Sequence, residues 1–298
     1  MKKKKSKGIA MDASEKFFAR FSVIFMTILA LLALLPVLHV VSKAVSKGTY
    51  VTAGQVYFWP RGFQLETVKY ILFETRFFAS LKNTLIVTGV GTLVSLFTSI
   101  TTAYPLSKPS FRGRKIVSLL YVFSMVFFGG IIPAYMVVKK LGLLDTYAGM
   151  ILPFAIVQFN MFIVKNYFEG LPESIEESAM IDGAGDIRIL TSIVCPMSMP
   201  VIATVGLLYA INYWNNYFHA MMYTSSTSMQ TLQVYLYNLI QGGSGYLENM
   251  TGGTLTTNIT PEGLTAAAVS LSIIPIIALY PLVQRFLIKG ITLGSVKG

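Results

Sequence analysis

Residues 171–200 read LPESIEESAMIDGAGDIRILTSIVCPMSMP, a polar stretch between two strongly apolar ones. Pro172 suits the first position of a short helix, because the N–H that proline lacks would have no partner there. Three carboxylates then favour the positive end of the helix dipole: Glu173, Glu176 and Glu177. Gly183 ends the helix, since glycine adopts the left-handed C-terminal conformation without steric penalty. The pattern predicts a short helix with a defined start and end.

A second short helix follows the first. Asp186 is placed to cap a helix from Ile187 to Val194, which then runs into Pro196 and Pro200. Caps and prolines leave the backbone little freedom. The stretch is therefore predicted to be a stiff projection built from two short helices.

The chain as a whole is too apolar for a soluble domain. Of its 298 residues, 54% are hydrophobic and only 12% are charged, and the mean hydropathy is positive. Apolar windows of about 20 residues are long enough to cross a bilayer. Six such windows lie at roughly 17–41, 80–106, 116–138, 149–165, 199–223 and 264–287. The predicted fold is an all-α polytopic membrane protein with six transmembrane helices.

The same windows divide the chain into regions. A basic N-terminus, 1–16, precedes a single transmembrane domain over 17–287 whose core covers about 70–287, and a tail, 288–298, follows it. The segment 1–16 resembles a secretory signal only in its charge, because the apolar stretch after it is long and lacks a small-residue cleavage site. An uncleaved first helix is expected.

The distribution of Lys and Arg predicts the orientation. If the N-terminus is cytoplasmic, sixteen of the 24 Lys and Arg residues lie on the cytoplasmic side and eight on the other. This bias predicts that both termini and residues 171–200 lie in the cytoplasm. The net charge of +11 does not indicate nucleic-acid binding, since the basic residues flank apolar spans that meet a lipid bilayer.

Several chemistries lack the residues they need. One cysteine, Cys195, and two histidines, His39 and His219, cannot supply an intrachain disulfide or a metal site of the usual ligand number. No Gly-Lys dipeptide occurs, so the phosphate-binding loop of ATPases is absent from the sequence. No catalytic residue, cofactor or metal is predicted, and any energy from ATP must come from a partner.

The polar stretch resembles the EAA loop of ABC importer permeases. Glu177, Ala179, Gly183, Ile193 and Pro196 fall in the register of that motif. Two residues depart from the pattern by small or apolar exchanges, Ser178 for alanine and Cys195 for leucine.

Three further segments are similar to the carbohydrate-uptake branch of this family, down to the small maltose-type permease subunit. They are Ile181 to Ala184, the pair Trp214-Asn215 and the tail from Gln284 to Gly298. The resemblance covers roughly residues 70–298.

The resemblance implies an assembly and a function. A second permease subunit, two ATPase subunits that bind ATP and Mg, and an extracytoplasmic solute-binding protein would join this chain to import a carbohydrate, expected to be an oligosaccharide. The loop 172–196 would couple to the ATPase through six residues: Glu176, Glu177, Ala179, Asp182, Gly183 and Ala184.

Other interpretations of the loop are weaker. An amphipathic connector on the bilayer would place clustered carboxylates against anionic lipid. Gly183 to Asp186 also fits the Gly-x-Gly-Asp motif of intramembrane aspartyl proteases, but those enzymes need two aspartates inside the bilayer, and no apolar span supplies a second.

An importer of the same architecture for another small polar solute stays open. An ion-coupled secondary transporter would need buried carboxylates, which the spans lack apart from Glu66, Glu74 and Asp145 near their ends.

Polar residues within the spans are candidates for a substrate path, because they are costly in hydrocarbon. The path candidates are Gln158, Asn160, Tyr209, Asn212, Tyr213, Asn216 and His219. Aromatic rings that stack on a pyranose beside amides that bind its hydroxyls are typical of sugar sites. The alternative is equally open: tyrosines also form interfacial belts, and amides also join helices.

The long segment 224–263 contains an apolar helical patch at 232–240 within a polar, glycine-rich surrounding. By resemblance, this segment and residues 48–79 would meet the solute-binding protein. A disordered outer loop is the alternative.

Overall fold

The computed structural model describes residues 12–242 and 258–294, with side chains to residue 278 apart from Ala13. Every regular element in these residues is helical, which confirms the all-α prediction for this part of the chain. The α-helices are α1 (Ala13–Ala44), α2 (Gly48–Thr52), α3 (Glu66–Glu74), α4 (Phe77–Ser107), α5 (Arg114–Val126), α6 (Ile131–Lys140), α7 (Tyr147–Ile151), α8 (Gln158–Glu169), α9 (Glu173–Ile181), α10 (Asp186–Ile189), α11 (Cys195–Met197), α12 (Met199–Asn215), α13 (Phe218–Tyr223), α14 (Leu232–Gln241) and α15 (Pro261–Gly294). Short 3-10 turns follow α7 and α13, and a π-helical turn, Leu190–Val194, separates α10 from α11.

Three of these helices are long and apolar enough to cross a membrane without a break: Ser14–Ala44, Phe77–Ser107 and Pro261–Ala278. The other three predicted spans are not straight helices. The predicted spans 116–138 and 149–165 fall on helix pairs, bent by 115° between α5 and α6 and by 53° between the α7 segment and α8. A third bend, of 84° at Ser198, joins Asp186–Met197 to α12 and lies just before the predicted span 199–223 begins. The number of spans is three, or up to six if each bent pair is one span.

The breaks follow from local sequence. Gly130, between α5 and α6, has a φ of +95°, which side chains with a Cβ avoid. Pro153 lies in the 3-10 turn Leu152–Phe154 before α8. Pro196 and Pro200 flank Ser198, and each lacks the N–H that would continue the helical hydrogen bonds. Hydropathy identified these segments as apolar but carried no information on their direction.

The chain divides into two compact units, Met1–Ile71 with Thr251–Leu271 and Leu72–Met250 with Ser272–Gly298, each described here only within the residues given above. In the first unit, α1 buries none of its hydrophobic window within the chain. Residues that follow α1 fold back along its end, and Gln64 Nε2 donates to the carbonyl of Asn258 at 2.8 Å.

The core of the second unit is built on one face of α4. Every fourth residue of this helix is buried and most are small: Asn83, Val87, Gly91, Ser95, Ser99, Ala103 and Ser107. Small residues at this spacing let helix backbones approach closely. The face packs against α12 and α8, and a Cβ on Gly91 would lie 2.8 Å from the ring of Tyr213 on α12.

Residues 224–242 are ordered against this unit. Asn83 Nδ2 donates to the carbonyls of Ser228, at 2.8 Å, and Gln230, at 2.9 Å, and the N–H of Leu232 donates to Thr84 Oγ1 at 2.7 Å. The predicted apolar helix at 232–240 is present as α14. The disordered-loop alternative is therefore wrong for this half, whereas Gly252 and Gly253 lie outside the described residues.

Asp145 joins the turn between α6 and α7 to the turn that follows α13. Its Oδ1 accepts hydrogen bonds from the N–H groups of Ser225 (2.7 Å) and Ser226 (2.8 Å) and from Ser226 Oγ (3.0 Å). Its own N–H donates to the carbonyl of Tyr223 at 2.9 Å. The backbone donors stabilise the carboxylate, so the pKa of Asp145 is lowered from its ordinary value.

The ends of the chain are only partly described. The predicted basic N-terminus lies outside the described residues up to position 11, and the last four residues of the tail lie outside them as well. Within the described part, α15 continues to Gly294, beyond the predicted span end at 287.

Candidate functional site

The helix α9 carries the candidate coupling residues, and its C-terminal end is closed by a Schellman motif. The N–H of Gly183 donates to the carbonyl of Met180 at 3.0 Å, and the N–H of Ala184 donates to the carbonyl of Ala179 at 2.9 Å. Gly183 has a φ of +79°, as the sequence predicted. Ala179 and Ala184 both pack against the core cluster. The turn after α9 is therefore fixed by backbone hydrogen bonds and by packing.

The start of α9 differs slightly from the prediction. Pro172 occupies the N-cap position with an extended backbone, and the helix begins at Glu173. The second helix differs more: Gly185 is its N-cap, Asp186 is its first residue rather than its cap, and the helix widens into the π turn at Leu190. Pro196 explains the widening, because it removes the hydrogen bond that a regular α-helix would make to the carbonyl four residues earlier.

Glu176 is an anchor of α9 and is not displayed on its surface. Its side chain is buried and forms an ion pair with Lys108, the residue that ends α4. The hydroxyl of Tyr104 lies 3.5 Å from the same carboxylate, and Lys108 Nζ sits 4.9 Å from the centre of the Tyr104 ring. The oxygens of Glu176 are occupied within the chain, and its role in coupling stays a prediction.

A second group of charges lies beside this anchor. Glu169, at the end of α8, pairs with Arg114 at the start of α5 and with Lys165, whose Nζ is 2.8 Å away. A cleft of about 520 Å³ opens between these groups, with Lys108, Arg114, Glu173 and Glu177 among its lining residues. Two ion-pair groups thus connect α9 and its neighbours to the ends of α4, α5 and α8.

The exposed surface of the loop combines charge with bare apolar side chains. Ile181 is 87% exposed and Ile187 is 80% exposed, on either side of the turn at Gly183. Glu177 and Asp182 are exposed beside them. The sequence analysis did not include either isoleucine among the coupling residues. The signal that could have identified them is an apolar side chain in a segment otherwise rich in polar residues. Together the two isoleucines give this turn an exposed apolar tip.

The path candidates are not gathered in one place. Tyr209 and Tyr213 are buried between α12 and α4, where Ser99 Oγ lies 2.7 Å from the Tyr209 hydroxyl and Ser95 Oγ lies 3.0 Å from the Tyr213 hydroxyl. Asn160 on α8 is buried too. The packing alternative accounts for the position of both tyrosines, and their assignment to a path stays a prediction.

The remaining path candidates lie nearer the surface. Gln158 Nε2 donates to Ser124 Oγ at 3.2 Å, and Asn216 Oδ1 accepts the N–H of His219 at 3.2 Å. The ring of His219 lies 4.3 Å from that of Phe154. Asn212 is exposed.

A different face of α12 is uncovered. Its exposed residues recur at helical spacing: Leu208, Ile211, Asn212 and Asn215. Asn215 Nδ2 donates to the carbonyl of Ile211 at 2.9 Å. Two amides on one exposed helical face favour contact with water or with another polar surface over contact with lipid.

Apolar helices with broken spans, a buried core of small residues and a projecting capped helix define a membrane transport permease. A family model described as "Binding-protein-dependent transport system inner membrane component" matches residues 8–293, and the chain belongs to this family. The predicted family is confirmed. It is a family of transport components of the inner membrane, and not of enzymes.

Curated relatives agree with this assignment. Protein LplC of Bacillus subtilis (strain 168) is 38% identical over 281 residues, which cover 93% of this chain and 94% of LplC. The polygalacturonan/rhamnogalacturonan transport system permease protein YtcP of the same organism is 39% identical over 274 residues, covering 92% and 96%. The trehalose/maltose transport system permease protein MalG of Thermococcus litoralis is 30% identical over 74% of this chain and 76% of MalG.

A solved structure is similar over almost the whole chain. The crystal structure of a bacterial ABC transporter involved in the import of the acidic polysaccharide alginate matches with a TM-score of 0.85 and 36% identity. The match covers 93% of this chain and 99% of that chain.

Proposed function

We propose that this chain is a permease subunit of an ATP-driven importer of carbohydrate, expected to be an oligosaccharide. The relatives with named substrates transport carbohydrates, including polygalacturonan/rhamnogalacturonan and trehalose/maltose. The proposal includes six spans and cytoplasmic termini: the first two bent pairs each cross once, and α12 crosses after the bend at Ser198. It also includes a second permease subunit, two ATPase subunits that bind ATP and Mg, and a solute-binding protein.

The observation that carries the proposal is the exposed apolar tip, Ile181 and Ile187, on an anchored helix. A short helix can transmit a rigid-body movement only if it cannot shift against its own subunit. The Schellman turn at Gly183 and the Lys108–Glu176 ion pair supply that stiffness. When the ATPase subunits close on ATP, the tip is pulled with them and the permease changes its accessible side.

The transport path runs along the uncovered face of α12. Asn212 and Asn215 offer amide donors and acceptors for sugar hydroxyls, and Leu208 and Ile211 offer apolar surface between them. The buried tyrosines lie inward from this face and hold α12 against α4. In this arrangement one side of α12 packs against α4 and the other side faces the solute.

The test replaces both tip isoleucines by serine, Ile181→Ser with Ile187→Ser, in the complex reconstituted in liposomes. We expect the ATPase subunits to be lost on purification and ATP-dependent uptake of labelled oligosaccharide to fall to background, while the chain stays inserted. The control for ATPase retention is Ile240→Ser on α14, which removes an isoleucine that is 56% exposed and lies outside the loop 172–196.

Three results would each contradict a part of the proposal. Retention of the ATPase with normal uptake by the double variant would remove the coupling role of the tip. Uptake driven by an ion gradient without ATP would favour a secondary transporter. Competition of uptake by a polyamine but not by oligosaccharides would keep the architecture and change the solute.

A further inference from the structure

Residues 57–63, with the sequence YFWPRGF, form a loop whose aromatic side chains have no cover in the chain. We name it the aromatic loop. Trp59 is 84% exposed, Tyr57 is 65% exposed and Phe63 is 67% exposed. Three large aromatic residues on a single short segment are more than the scattered apolar exposure of an ordinary surface. The loop therefore has an environment that the isolated chain does not supply.

The aromatic loop is fixed beside the last turns of α1. His39 Nδ1 lies 2.8 Å from the carbonyl oxygen of Tyr57, and Ser42 Oγ donates to the carbonyl of Phe58 at 2.7 Å. Further along, the N–H of Arg61 donates to Ser46 Oγ at 3.0 Å. Two contacts to the last turns of α1 and one to Ser46, just after the helix, fix the height of the loop against α1.

The height can be placed relative to a bilayer. The last charged residue at the start of α1 is Arg20, and no Lys, Arg, Asp or Glu follows until Lys43. A helix rises about 1.5 Å per residue, so the roughly 30 Å of a hydrocarbon core is crossed in about 20 residues. Counted from Arg20, the far boundary falls close to Val40, between the two α1 residues that hold the loop.

The chemistry of the loop suits that boundary. Tryptophan and tyrosine combine a large apolar ring with one polar atom and are enriched where hydrocarbon meets headgroups. Lys43, Lys47 and Arg61 lie in or next to the same segment and can pair with lipid phosphates. Aromatic and cationic side chains that lie together at this height along α1 favour contact with lipid over contact with a protein surface.

We propose that residues 57–63 form an interfacial anchor, with the rings of Tyr57, Trp59 and Phe63 in the lipid headgroup layer at the C-terminal end of α1. The anchor sets the depth of α1, which buries none of its hydrophobic window in the chain. Its occupant is a bilayer, and neither the solute-binding protein nor a second permease subunit is required.

The test measures tryptophan fluorescence in the complete complex in liposomes. The chain contains two tryptophans, the exposed Trp59 and the buried Trp214. The signal of Trp59 is the difference between the wild-type complex and the Trp59→Phe complex, which subtracts every tryptophan of the other subunits. Trp214→Phe supplies the matched difference for a buried residue. Quenchers are aqueous iodide and phospholipids brominated near the headgroup or near the chain end.

We expect the Trp59 difference to be quenched strongly by the lipid brominated near the headgroup, less by the lipid brominated near the chain end, and weakly by iodide. The Trp214 difference should respond little to iodide. Quenching of Trp59 by iodide alone would overturn the proposal, because the ring would then lie in water. Insensitivity of Trp59 to both lipids, or protection that appears only when the solute-binding protein is added, would overturn it in favour of a protein contact.

Discussion

Glu176 and Glu177 are adjacent residues with opposite surroundings. Glu176 is buried against Lys108 and Tyr104, whereas Glu177 is exposed on the surface of α9. Both fit the helix-dipole pattern of the sequence equally well. The difference depends on Lys108, which lies 68 residues away along the chain and could not be assigned to either carboxylate before the fold was known.

Removal of the Glu176 carboxylate should therefore cost much more than removal of its neighbour. Glu176→Ala leaves the Lys108 ammonium partly buried without a counter-charge, and we expect the free energy of unfolding to fall by about 3 kcal/mol. The exposed control Glu177→Ala should change it by less than about 0.5 kcal/mol. Denaturant titration in detergent micelles measures both, and equal effects would contradict the anchoring role.

Asp145 gives a pH dependence whose sign follows from its lowered pKa. The folded state holds this carboxylate with N–H donors from Ser225 and Ser226. Its stabilisation is complete above the ordinary aspartate pKa of about 4 and is lost as the pH falls through the lower folded value. We expect Asp145→Asn to lower the Tm at neutral pH, with a difference from wild type that narrows below about pH 4. A Tm difference that is independent of pH would contradict the assignment.

At the scale of elements, the buried face of α4 explains how α12 is held. Gly91, Ser95 and Ser99 allow the tyrosines of α12 to reach the α4 backbone and to place their hydroxyls on the two serines. Hydrogen bonds of this kind contribute about 0.6 kcal/mol each on average between membrane helices. Close packing of the ring on Gly91 is the larger contribution.

Two glycines of α4 provide a matched test. A Cβ at Gly91 would meet the Tyr213 ring at 2.8 Å, whereas a Cβ at Gly89 has no other atom within 4 Å. Gly91→Leu should separate α12 from α4 and lower the Tm and the yield of assembled complex, and Gly89→Leu should leave both unchanged. The tyrosine packing described here would be wrong if Gly91→Leu were as stable as Gly89→Leu.

The sequence predicted most of the helices but left open which side chains of α12 face the core. The turn at Gly183 was readable because its left-handed conformation is a local requirement of one residue. The spacing of Tyr209 and Tyr213 predicted that they share a face, but the choice between core and path depends on Gly91, more than a hundred positions earlier. The small-residue stripe of α4, at four-residue spacing, was the signal that would have decided it.

At the scale of the whole molecule, the proposed transport path makes different predictions for the two faces of α12. Asn212→Leu on the uncovered face of α12 should slow ATP-dependent uptake or raise the KM for oligosaccharide, with the Tm and ATPase association unchanged. Tyr213→Phe on the closed face should lose the bonds to Ser95 and to the carbonyl of Ile151, lower the stability by about 1 kcal/mol, and leave the KM unchanged. The reverse pattern, measured by uptake kinetics and thermal unfolding, would return the tyrosines to the path.

The bare isoleucines at positions 181 and 187 also bear on what happens to a copy that is made in excess. In the proposed complex an ATPase subunit covers them, whereas in an unassembled copy they stay exposed, and proteases and chaperones bind exposed apolar side chains. Copies that lack their partner subunits would then be degraded, and the amounts of the components would stay in proportion. In a pulse-chase of this chain expressed by itself, the serine double variant should have a longer lifetime than the wild type. Equal lifetimes would contradict this role of the two isoleucines in degradation.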